Sequence, residues 1–187
     1  MCGIAGFFDE KRRWAARRAN AAAAEMAATL LHRGPDASAT WADEEAGIAF
    51  GHTRLAIVDL SAAGAQPMTS SCGRCVITYN GEVYNAGELR GELESAGRTF
   101  RGHSDTEVIV EGCAVWGVEE TVRRLIGMFA FALWDHKEKA LTLARDRLGI
   151  KPLYWGRIEG RLVFASELKA LKVLPGWRGE IDLQALA

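Results

Sequence analysis

The sequence predicts an α+β fold, with antiparallel strands in layers and helices outside them. Two hairpins carry most of that expectation. FAFALWD and ALTLARD flank the charged turn HKEK, and LYWG and LVFAS flank RIEGR. Helical stretches sit apart from these strands instead of alternating with them, which argues against a doubly wound parallel sheet. The 187 residues, 49% hydrophobic and 25% charged, suffice for one domain with a real core.

Taken in order, CGIAGFF at residues 2–8 reads as a short buried strand. Residues 15–31 are alanine-rich, with Met26, Leu30 and Leu31 at helical spacing, so an amphipathic helix is expected there. Gly34-Pro35 should stop it near His32. The apolar residues between Gly47 and Asp59 suggest two strands, IAFGH and RLAIVD, and Val76 to Tyr79 suggests another. Asn85 with Glu88, and Ser104 with Glu107, each have the spacing of a capping box, the second opening a helix through Trp116. The final stretch, GWRGEIDLQALA, stops at the start of an expected helix, and so reads as a truncation.

The formal net charge is −1, so no global field draws nucleic acid or anionic lipid. The basic run KRRWAARR reads as a solvated helix face or loop in preference to a nucleic-acid site. No apolar run reaches the roughly 20 residues of a membrane span, and no basic flank with a hydrophobic segment marks a signal peptide. A cytoplasmic location is expected. Of the four cysteines, Cys2, Cys72, Cys75 and Cys113, the pair in CGRC flanks a turn where Gly73 supplies the bend. The pair lacks the two further ligands at matched spacing that a zinc site needs, so no metal is expected.

Chemistry concentrates at the front. Removal of Met1 would leave Cys2 with a thiol and a free α-amine, whose ordinary pKa values are about 8.5 and about 7.7–8.0. One residue then holds both nucleophile and base. The alternative is an incidental Cys2 behind a retained Met1. Asn80 and Gly81, in YNGEVYN, offer a side-chain amide and a backbone N–H for a developing oxyanion, or else form an Asn-Gly turn. Arg54 can grip a carboxylate bidentately, or be a strand-edge charge. Glu82 and Asp105 can receive an ammonium, although an acid at Asp105 also suits the first turn of a helix. His32, His52, His103 and His136 fall in loop, helix-entry and turn contexts that suggest support, not a Cys-His mechanism.

An ordered set of motifs joins these residues: MCGIAGF, HRGPD, GHTRLAIVDLS, AQPM, YNGEVYN, SDTEV, GMFAFALWD, ARDRLGIKPLYW and FASELKAL. Together they resemble the glutaminase domain of class II glutamine amidotransferases of the glutamine-hydrolysing asparagine synthetase type. The resemblance covers residues 1–171 as the domain and leaves 172–187 as the start of a linker toward a missing synthetase domain. It implies an N-terminal nucleophile hydrolase fold, a four-layer α/β/β/α sandwich with two antiparallel sheets. It implies that Cys2 attacks the side-chain amide of glutamine, with Asn80 and Gly81 as the oxyanion hole. Arg54 would bind the α-carboxylate, Glu82 and Asp105 the α-amine, and the backbone of Leu55, Ala56, Ile57 and Val58 would line the pocket. Arg33 would sit close to it.

The glutaminase reaction needs no cofactor. The missing synthetase domain, or a partner protein, would take the ammonia and use ATP and Mg2+, with aspartate as the default acceptor. Oligomeric state stays open, with room for a homo-oligomer. Ile126 stands where the family commonly has asparagine, and CGRC replaces a more polar turn. Two other readings remain: an N-terminal nucleophile hydrolase acting on a different amide, and a non-catalytic domain that keeps Met1.

Overall fold

The computed structural model describes residues 1–57, 59–180 and 184. Its first sheet has five strands in the order β2-β3-β1-β9-β8, and its second has four in the order β4-β5-β6-β7. The first comprises β1 (Gly3–Phe8), β2 (Ala37–Asp43), β3 (Ile48–Arg54), β8 (Tyr154–Ile158) and β9 (Arg161–Ala165). The second comprises β4 (Met68–Thr69), β5 (Cys75–Val83), β6 (Gly127–Asp135) and β7 (Ala140–Arg145). All pairings are antiparallel.

Strand alternation distributes the apolar residues over three buried layers. Ala5, Phe7 and Val163 pack under α1 (Ala16–Ala28) and α5 (Lys169–Lys172). Phe50, Val76, Ala132, Trp134 and Phe164 fill the space between the sheets. Ile77, Phe129, Phe131 and Leu133 pack beneath the remaining helices, α2 (Ala86–Ser95), α3 (Asp105–Trp116) and α4 (Val118–Arg124). The result is the expected four-layer α/β/β/α sandwich. Leu174 is buried and Trp177 packs on the first of these layers, so core contacts continue beyond Leu171.

Several elements depart from the sequence reading. Of the described residues of RLAIVD only Arg54 lies in a strand: the β3 ladder ends there, and Leu55, Ala56, Ile57 and Asp59 lie in a loop. Asp59 organises that loop by accepting hydrogen bonds from Ser61 N–H (2.8 Å) and Ser61 Oγ (2.6 Å). ASATWAD forms β2, an edge strand whose half-exposed residues give no clear alternation. α1 stops at Ala28, and short turns carry the chain on to Gly34. α4 is a further helix, entered through Gly117 at φ +86°.

The Asn85 capping box does not form. The Asn85 side chain instead donates to the Arg124 carbonyl (2.9 Å) and accepts from Ile126 N–H (3.0 Å), tying α2 to the entry of β6. Ser104 does cap α3, accepting from Thr106 N–H at 3.1 Å, whereas Glu107 turns back to Arg101 and Gly102 N–H. Residues 181–183 and 185–187 of the expected final helix lie outside the described residues. Asn85→Ala should lower unfolding stability by about 1–2 kcal/mol, since it orphans two backbone groups. Denaturant titration beside the unsubstituted chain checks this; an unchanged midpoint would contradict the tie.

Candidate functional site

The N-terminal strand is central to its sheet, between β3 and β9. That position demands glycine at two points. A Cβ on Gly3 would lie 2.5 Å from Thr53 Oγ1, and one on Gly6 2.5 Å from the Ala49 carbonyl. Cys2 immediately precedes the strand and is itself anchored. Arg33 Nε donates to the Cys2 carbonyl at 3.0 Å, and Arg33 also pairs with Glu167 at 2.9 Å. Gly34 permits this loop to approach, because a Cβ there would meet the Thr53 backbone at 2.5 Å.

Cys2 opens into a cleft of about 260 Å³ that is also lined by Met1, Arg54, Leu55, Ala56 and Ile57. Asn80, Gly81, Glu82 and Asp105 complete the predicted set in the same cleft. Of the sequence-predicted site residues, Val58 alone lies outside the described residues. The thiol is bracketed by the backbone of one residue: Leu55 N–H donates to Sγ at 3.4 Å, and the thiol donates to the Leu55 carbonyl at 3.7 Å. Burial pushes the Cys2 thiol up, against the pull of the Leu55 N–H, the chain's amino terminus and Arg54. Cys2 is therefore a protonated thiol near neutral pH.

Asn80 and Gly81 lie within β5, opposite Ala130 and Phe129, and do not form a turn. Asn80 is 2% exposed, and its Nδ2 has no hydrogen-bond partner. A buried unsatisfied donor is costly, and one facing a cleft is a site for an incoming acceptor. Gly81 serves close approach: a Cβ would stand 2.5 Å from the Met128 carbonyl.

Asp105 begins α3 and accepts from Tyr79 OH (2.6 Å) and Val83 N–H (3.0 Å). Burial and the Asp105 charge hold the Tyr79 hydroxyl well above its ordinary range, so it stays a donor. Arg54 donates to the Ser61 carbonyl (3.1 Å) and to the Asp59 carbonyl, which fixes the guanidinium at the cleft wall. Asp59 also accepts from His103 N–H, and with Ser61 these bonds hold its carboxylate down at about 2. Glu82 is exposed at the mouth, with no ion pair among the described residues.

Gln66 and Lys151 also line the cleft, and the sequence reading passed over both. Gln66 accepts from Tyr79 N–H at 2.7 Å, extending the edge of β5 beyond β4; AQPM carried the only signal for it. None of the four histidines lines the cleft. His52 is buried between the sheets against Thr78, and burial lowers it to about 3, so it is neutral. No helix among the described residues is long and apolar enough to cross a membrane.

Comparison with known proteins decides the family. A model described as a glutamine amidotransferase domain matches residues 1–187. The chain belongs to that family. It is 40% identical over its full length to asparagine synthetase [glutamine-hydrolyzing] 3 of Bacillus subtilis, and covers 30% of that protein. It is 44% identical over 91% of its length to asparagine synthetase B of Escherichia coli K12, again covering 30%. The glutamine amidotransferase domain thus spans about a third of the curated relatives it matches. Among solved structures, the glutamine phosphoribosylpyrophosphate amidotransferase of B. subtilis superposes on 92% of the chain with TM-score 0.75 at 23% identity. That likeness shows the N-terminal nucleophile hydrolase fold.

Through Arg33, Glu167 ties the segment after β9 to the backbone of Cys2. It accepts from Arg33 and His32 and pairs with Lys169 at 3.1 Å. Burial raises its carboxyl, but the bonds from Arg33, His32 and Lys169 outweigh this and lower it from 4.5 to about 2. A depressed carboxyl stabilises the fold above its ordinary pKa and loses that contribution as pH falls through 4.5 toward about 2. Glu167→Gln should therefore be less stable near neutral pH and converge with the unsubstituted chain at the acid end. Denaturant midpoints across that window test this; parallel curves would contradict it.

Proposed function

We propose that the mature chain, without Met1, hydrolyses the side-chain amide of L-glutamine to glutamate and ammonia through a Cys2 thioester. The buried, unpartnered Asn80 Nδ2 in the cleft that holds Cys2 is the observation that carries this reading. It is a preorganised donor where an acyl oxygen would gain charge. Arg54 receives the α-carboxylate, and Asp105 with Glu82 the α-ammonium.

In the proposed reaction the Cys2 α-amine takes the thiol proton and Sγ attacks the amide carbon. The C–S bond forms while the oxygen gains charge against Asn80 and Gly81. Collapse breaks the C–N bond, and ammonia leaves with the proton held by the amine. Water then attacks the thioester while the α-amine takes its proton; the C–S bond breaks, the amine returns that proton to Sγ, and glutamate departs. With Met1 attached, Cys2 N is an amide without basicity, and Met1 lines the cleft. A raised thiol needs that base, which is why processing is part of the proposal.

The names of the relatives support a further step: ammonia passes to a synthetase domain or partner protein for ATP- and Mg2+-dependent amidation with aspartate as default acceptor. Among the described residues no group of three or more His, Cys, Asp or Glu can hold a metal ion. In this proposal ATP and Mg2+ serve the amidation, and no step of glutamine hydrolysis is routed through them.

Glutamate release measured on the chain lacking Met1 should vanish in Cys2→Ala. It should fall about 10²–10³-fold in kcat in Asn80→Ala. Release that is indifferent to Cys2 substitution would overturn the reading. Hydrolysis of other amides in a panel while glutamine stays untouched would favour a different N-terminal nucleophile hydrolase.

A further inference from the structure

Two cationic side chains line the cleft, and Arg54 accounts for only one of them. The other, Lys151, is 6% exposed. Its ammonium has no ion pair or hydrogen bond among the described residues, although neighbouring bonds hold its backbone firmly. Lys151 N–H donates to Asp146 Oδ2 at 3.0 Å, and its carbonyl accepts from Arg145 Nε at 2.7 Å. The Lys151 stem is buried, while its Nζ is not fully buried and opens to the cleft, where an acceptor on a bound ligand can complete it.

Strand order fixes the end of the cleft that Lys151 serves. Asp146 Oδ2 also accepts Phe129 N–H (3.2 Å), and Asp146 N–H returns to the Phe129 carbonyl (2.8 Å). Phe129 is the register partner of Gly81. Lys151 therefore enters from the β6–β7 side, one carboxylate away from the strand that backs Gly81. The charged groups for an amino acid's α-end enter from the opposite side. Asp105 is held by Tyr79 and Val83, and Arg54 by the 59–61 loop. A zwitterion seated on Arg54 and Asp105 turns its side-chain end toward Cys2, Asn80 and Lys151.

We propose that Lys151 is a further catalytic residue: its ammonium faces the carboxamide end of the substrate, adding positive charge at the oxyanion and at the γ-carboxylate of product glutamate. The role rests on the glutamine-hydrolysing reading above. Lys151 transfers no proton in it. Glutamine's amide is neutral in the ground state, so the charge acts mainly on the transition state and on the product.

Lys151→Met keeps most of the stem without the charge, Lys151→Gln shortens it, and Lys151→Arg keeps the charge. Glutamate release is measured on each. Calorimetric binding of glutamine and of glutamate is measured in a Cys2→Ala background. The neutral variants should lose about tenfold or more in kcat with KM within about twofold, and Lys151→Arg should recover most of it. They should also weaken glutamate binding about tenfold more than glutamine binding.

Neutral variants with unchanged kcat and an unchanged glutamate-to-glutamine binding ratio would overturn the Lys151 role while glutamine hydrolysis stands. An arginine variant as impaired as the neutral ones would reduce Lys151 to packing. Failure of both amino acids to bind the chain with Lys151 intact would overturn the glutamine reading, and this role with it.

Discussion

The site depends on a chain terminus built into the middle of a sheet. Terminal residues ordinarily fray, because water satisfies them as well as the protein does. Here β1 is hydrogen-bonded on both sides, to β3 through six register pairs and to β9 through four. Its inner end is clamped again: Ile4 N–H donates to Ser166 Oγ at 3.0 Å, and Ser166 N–H to the Ile4 carbonyl at 2.8 Å. Arg33 holds the carbonyl of Cys2 itself. The thiol position is thus a consequence of sheet registry and owes little to the local chain.

That constraint explains the placement of the other groups. The inter-sheet layer is apolar where Phe50, Trp134 and Phe164 meet and becomes polar at the Cys2 end. Asn80 and Glu82 share one face of β5 by strand alternation, so both point into the same opening. Tyr79 points the other way and reaches the Asp105 carboxylate at the start of α3, which places an acid beside the cleft. Charge is separated along the cleft: Arg54 and Asp105 on one side, Lys151 on the other. A substrate with two charged groups at one end and a neutral amide at the other matches that arrangement.

Much of this was legible in sequence because it is local chemistry. The hairpins at HKEK and RIEGR, the alanine-rich helix and the Ser104 cap each depend on neighbours within a few residues. The candidate residues were legible through the ordered motifs, and the described ones line one cleft. What could not be read was tertiary. RLAIVD has a strand's composition, yet Asp59 bonds to Ser61 and His103 and bends it into a cleft wall. Asn85 satisfies a capping pattern, yet its amide is used 39 residues away, on Arg124. Lys151 lies in a motif but announces nothing alone; its burial comes from Asp146 gathering backbone N–H groups from Phe129, Leu148, Ile150 and Lys151.

The central claim is that Cys2, freed of Met1, is a nucleophile in a working glutamine pocket. Intact-mass spectrometry of the purified chain after incubation with 6-diazo-5-oxo-norleucine, a reactive glutamine analogue, tests it most directly. The account predicts a species lacking Met1 and carrying a single adduct, absent in Cys2→Ala. A chain that retains Met1 and stays unmodified, or an adduct that persists in Cys2→Ala, would contradict it.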